Sequence, residues 1–82
     1  MRFADNHCTY TEDYKNHTYT FIGNCVVTGK PYSVTVPAQG LFAYRQGAHI
    51  QDAFPKLSTD DREFLMSGIS PKGWNLTFNS FL

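Results

Sequence analysis

The sequence predicts an α+β domain over all 82 residues. A small antiparallel β-meander of two to three strands fills residues 1–36, and about three short helices fill residues 37–82 and pack on one face of it. Three observations predict this. First, the run VVTGKPYSVTV from Val26 to Val36 reads as a hairpin, because Tyr32, Val34 and Val36 alternate with Ser33 and Thr35, the period of a strand with one buried face. Second, after Pro37 the apolar spacing becomes helical and stays so. Third, helix start and stop residues recur at Ser58, Gly68 and Ser70-Pro71.

Residues 1–16 are polar. Cys8-Thr9-Tyr10-Thr11 suits a short strand, since Thr and Tyr are favoured on a pleated surface, and Glu12 to Asn16 suits a turn. The run HTYTFIGNCVV from His17 to Val27 is rich in strand formers. It sets Tyr19, Phe21, Cys25 and Val27 on one face and Ile22 and Val26 on the other. Gly23 in its middle marks a bulge or a close backbone approach. Thr28-Gly29-Lys30-Pro31 is turn chemistry, with Gly29 free to take a positive φ. An isolated hairpin is marginal in water, so this sheet needs helices packed on it.

Pro37 suits the first position of a helix, where its missing N–H costs nothing. Ala38 to Gln46 aligns Leu41 with Tyr44 or Arg45, and Gly47 stops it. Ala48 to Phe54 groups Ile50, Ala53 and Phe54 and ends before Pro55; one helix broken at Gly47 is the other reading. Ser58 is an N-cap followed by acids in the first turn, and Gly68 with Ile69 forms a glycine C-cap. Ser70-Pro71 repeats the start signal. Trp74 and Phe78 lie four apart, with Leu76 and Phe81 extending the apolar surface.

Seven basic and seven acidic residues leave no net charge with neutral histidines. The basic excess through which nucleic-acid binders gain phosphate affinity is missing. Seven Phe, five Tyr and one Trp are many for this length, so some aromatic area is available to a partner. No apolar run suggests a membrane span and no leader is evident, so a cytoplasmic location is expected. Cys8 and Cys25 are then expected as free thiols.

Several constellations invite chemistry and fall short of it. Thr28-Gly29-Lys30 resembles a phosphate loop, but Asn24 stands where the first glycine belongs and Pro31 leads into a strand. His7, Cys8, His17 and Cys25 match no zinc spacing. Cys25, His49 and Asp52 contain the residue types of a nucleophile triad, yet a surface pair of His49 and Asp52 is the plainer account. Asp60, Asp61 and Glu63 read as partners of a helix dipole. No catalytic set, metal or cofactor is therefore expected. Lys30, Tyr32, Arg45 and Lys56 form a candidate basic and aromatic surface for nucleic acid. Tyr10, Tyr14 and Tyr19, with Arg45, Arg62 and Trp74, form a candidate protein-binding set, since such residues dominate interface energetics.

From Val27 to Trp74 the chain resembles a family of short, largely uncharacterised proteins of tailed phages and prophages. The resemblance is carried by TGKPYSVTVPAQG (Thr28 to Gly40) and GAHIQDAFPKLSTDDREFLMSGISPKGW (Gly47 to Trp74). No activity attaches to that motif. Some members of the family carry cysteines where Ser70 and Gly73 stand here, which implies a metal knuckle lost or replaced. A phage origin would make the protein a non-enzymatic accessory factor in the host cytoplasm. It would bind a host protein and inhibit or redirect it, for example a CRISPR effector or a restriction nuclease. A small nucleic-acid-binding module is the alternative.

Overall fold

A computed structural model describes residues 1–79 of the chain; Phe81, expected to extend the last apolar face, lies outside them. The order is α1 (Arg2–His7), β1 (Thr9–Asp13), β2 (Thr18–Asn24), β3 (Pro31–Pro37), α2 (Ala38–Arg45), α3 (Ile50–Ala53), α4 (Thr59–Ser67) and α5 (Pro71–Asn79). The strands form one antiparallel sheet in the order β1-β2-β3, so the protein is α+β, as the sequence predicts. No helix among the described residues is long and apolar enough to cross a membrane.

Two bonds just beyond the β2–β3 ladder fix its phase. Ala38 N–H donates to His17 C=O (2.8 Å), and Cys25 N–H donates to Lys30 C=O (2.9 Å). They make Thr18–Pro37 and Asn24–Pro31 non-hydrogen-bonded pairs. Both prolines thus sit where the N–H would point off the sheet, the position at which a strand tolerates them. Counting in twos, Tyr32, Val34 and Val36 bond to β2, while Ser33 and Thr35 turn their backbone groups toward the free edge.

The side chains divide by the same parity. Phe21, Val34 and Val36 are buried beneath the helices, whereas Ile22, Ser33 and Thr35 face outward and are exposed. Thr11, Thr20 and Thr35 form a row across that outer face, and the Thr20 and Thr35 hydroxyls are bonded at 2.8 Å. The core cluster continues through Leu41, Phe54, Phe64 and Leu65.

Local capping chemistry is as expected. Ser58 Oγ accepts from Asp61 N–H at 3.1 Å, and Gly68 ends α4 at φ 80°. Ser70 Oγ accepts from Gly73 N–H at 3.2 Å to start α5. Gly29 has φ 72° in the turn. A Cβ at Gly23 would lie 2.6 Å from Cys8 Sγ, the close approach expected there; the register runs through it without a bulge.

Four expectations are corrected. Residues 1–16 are not polar throughout: α1 forms at their start, Met1, Phe3 and Ala4 are buried, and Phe3 meets the Phe64 ring edge-on at 5.3 Å. The second strand stops at Asn24 instead of Val27, because Cys25 closes a loop to Lys30 and Val26 N–H turns to Gly68 C=O at 2.9 Å. Pro37 ends β3 and caps α2 in extended conformation (ψ 141°) rather than opening the helix from inside. Helix α3 is one turn, Ile50–Ala53, shorter than the Ala48 to Phe54 expected.

Candidate protein-docking surface

β1 and β2 bring Tyr10 beside Tyr19 because Glu12 pairs with Tyr19 and Tyr10 with Phe21, which places these side chains on one face. The Tyr10 ring lies 5.9 Å from Tyr19 and 5.7 Å from Phe21, and Tyr19 meets Phe42 of α2 edge-on at 6.2 Å. Together with Leu41 and Arg45 these rings line a shallow cavity of about 70 Å³. Tyr10 is 60% and Phe42 52% exposed, so the rings pack on one another while leaving a wet outer surface. Tyr14, 78% exposed, projects from the β1–β2 turn. That turn is closed by Asp13 Oδ1, which accepts from the N–H groups of Lys15 and Asn16, and by His17 in the left-handed region at φ 56°.

Charge frames the rings. Arg45 Nη2 lies 3.3 Å from Asp5 Oδ1, with both side chains exposed; such a pair contributes under about 1 kcal/mol and is easily exchanged for a partner's carboxylate. Burial, and then the Glu12 carboxylate, raises the Tyr19 phenol above its ordinary pKa. The phenol therefore stays protonated and can donate.

Of the sequence-predicted residues, Tyr10, Tyr19 and Arg45 converge here, and Tyr14 borders the same strands. Phe42 was missed. Its signal was available, for it lies three residues before Arg45 on the same helix stripe. Trp74 and Arg62 do not join them. Trp74 stacks on Phe78 of α5 at 5.6 Å. Arg62 Nη1 instead donates to the carbonyls of Phe54 (3.2 Å) and Leu57 (3.0 Å), fixing the loop between α3 and α4.

The candidate nucleic-acid set is dispersed. Lys30 precedes Pro31 at one end of β3, while Lys56 lines a cleft with Pro37 at the other, about 20 Å away along the strand. Tyr32 packs on Phe64 at 4.8 Å and donates to Asp61 at 2.6 Å. The residues of the other constellations are also separated. His7 and Cys8 precede β1 at the Ile22 end, and His17 lies past its other end. His49 and Asp52 share one turn, with Asp52 N–H donating to His49 C=O at 3.0 Å, but they line different clefts, His49 one with Met66 and Asp52 the one containing Lys56.

Cys25 is buried and is a free thiol, like Cys8. It sits at the start of α5, where Ser70 N–H donates to Sγ at 3.3 Å and a Cβ at Gly73 would lie 2.8 Å from Sγ. Burial pushes the thiol up, but hydrogen bonds from Ser70 and Thr28 outweigh it and bring its pKa to about 6. Burial, followed by Asp5, raises Cys8 instead. Because the folded value of Cys25 is depressed, its thiolate stabilises the fold fully above the ordinary thiol value of 9.0 and loses that contribution as pH falls to about 6. Thiolate absorbance at 240 nm is expected to rise with a midpoint near 6 and again only above 9.0. Cys25→Ser should remove the lower step. A single step above 9 in the unaltered protein would contradict the hydrogen-bonded thiolate.

Comparison with protein-family models, curated proteins and solved structures finds no match to this chain.

Proposed function

We propose that the protein is a non-enzymatic binding protein that docks on a protein partner through Tyr10, Tyr19, Phe42 and Arg45. One observation carries this reading: two strands and a helix pack these rings against each other and still leave Tyr10 and Phe42 half or more exposed. Scattered exposed apolar residues are ordinary. Contiguous rings beside an arginine with only a surface ion pair have the composition of an interface hot spot. The packing already restricts the rings, so less side-chain entropy is lost on binding. In the resemblance to tailed-phage proteins the partner is a host protein, and inhibiting or redirecting a defence effector is the form this binding takes.

The test is affinity capture from nuclease-treated host lysate at moderate salt, comparing the unaltered protein with Tyr10→Ala and Phe42→Ala. One stoichiometric protein is expected, and each substitution should weaken its affinity about 30-fold or more, the 2 kcal/mol scale of a hot spot. Trp74→Ala should leave it unchanged. No protein partner, with nucleic acid recovered at low salt when nuclease is omitted and lost at moderate salt, would sink this reading and favour a nucleic-acid-binding module.

A further inference from the structure

A cleft of about 640 Å³ opens at the Pro37 end of β3, between Thr18, Thr35, Val36 and Pro37 of the sheet and the loop joining α3 to α4. Thr35, Val36 and Pro37 form one wall, Phe54 to Leu57 the other, and Gly40 and Ala43 of α2 line the rest. It lies on a different stripe of α2 from Phe42 and Arg45.

The edge beside this cleft carries unused hydrogen-bonding groups. By the ladder phase, Ser33 and Thr35 direct N–H and C=O away from β2, and neither backbone has another partner among the described residues. Pro31 and Pro37 remove the outward donors at both ends. What remains is a short row with two donors. A partner strand belongs about 4.8 Å from β3, and the cleft opens beside the Thr35–Pro37 end of that position.

The loop is also fixed, and Lys56 is its one cation. Arg62 ties it from within through Phe54 and Leu57. Lys56 and Asp52 stand on the rim, neither in an ion pair among the described residues.

We propose that the edge of β3 binds an extended peptide as a fourth strand, with an apolar side chain in the cleft and an acidic residue against Lys56. Backbone groups of Ser33 and Thr35 supply the register, and the cleft reads alternate side chains.

The experiment is selection of a displayed random heptapeptide library on the intact protein, followed by synthesis of the enriched sequence. Enriched peptides should alternate apolar residues and carry an acid. The synthetic peptide should slow amide exchange at Ser33 and Thr35 at least 10-fold while leaving Tyr10 and Glu12 of the opposite edge unchanged. Methylating the peptide's alternate amide nitrogens should abolish binding. Lys56→Glu should weaken binding about 10-fold, and Ser33→Pro should abolish it with the thermal melt retained. Tyr10→Ala should have no effect, which keeps this result separate from the aromatic surface. Absence of enrichment, protection at the aromatic surface instead, or a dimer in sedimentation that protects Ser33 and Thr35 without peptide would each overturn the proposal.

Discussion

Gly68→Ala is expected to destabilise the protein by about 2–4 kcal/mol, and the reason lies in three elements that meet at this residue. Gly68 closes α4 at φ 80°, where an L side chain costs about 1 kcal/mol. Its C=O accepts Val26 N–H from the β2–β3 loop at 2.9 Å, so the backbone cannot swing away freely. A Cβ there would also enter the ring of Phe3, which anchors α1 on Phe64. Moving that ring adds overpacking strain of about 1–3 kcal/mol. Gly29→Ala is the internal control, for Gly29 has φ 72° but nothing within 4 Å of an added Cβ. It should lose only the conformational part, about 1 kcal/mol. Urea melts of the two variants give the comparison, and in a thermal melt the Gly68 variant should unfold on the order of 10–30 °C below the parent. Equal losses in both would mean that Phe3 yields without cost.

This junction also shows which parts of the fold were legible. The caps at Ser58, Gly68 and Ser70 could be read because capping is chemistry among residues three or four apart. Helix α1 could not. It spans six residues, too short to be stable by itself, and exists because Phe3 reaches Phe64 at the far end of the chain. The end of β2 was misread because Cys25 and Val27 continue the strand's apolar alternation, while the actual partners are tertiary: Gly68 C=O for Val26 and Ser70 N–H for Cys25 Sγ. The candidate surface was legible in part for the same reason. Tyr10 and Tyr19 follow from strand parity once the register is known. Phe42 enters from another element, and Arg62 is drawn away by the carbonyls of a loop whose path no local pattern specifies.

Proline substitutions at adjacent positions of β3 should have opposite consequences. Val34 belongs to a hydrogen-bonded pair with Phe21, so Val34→Pro removes a ladder donor and leaves the Phe21 carbonyl unpaired in a buried face. It also trims a core side chain. The expected loss is about 4 kcal/mol or more, against about 2 kcal/mol for Val34→Ala, which isolates the packing part. A domain of this length has a total stability of only about 4–12 kcal/mol, so Val34→Pro should be largely unfolded. Ser33→Pro removes an N–H that points off the sheet and a side chain exposed on the outer face. The chain already carries proline at Pro31 and Pro37, the positions of the same phase. Ser33→Pro should therefore lie within about 1 kcal/mol of the parent, with some of the loss offset by a stiffer unfolded chain. Circular dichroism melts of the three variants decide this. If Ser33→Pro unfolds and Val34→Pro does not, the ladder phase is reversed, and with it the assignment of Ser33 and Thr35 to the open edge. If the phase holds, the same substitution that leaves the fold intact removes one of the two donors a fourth strand would need. Ser33→Pro thus separates binding at this edge from stability in a single protein.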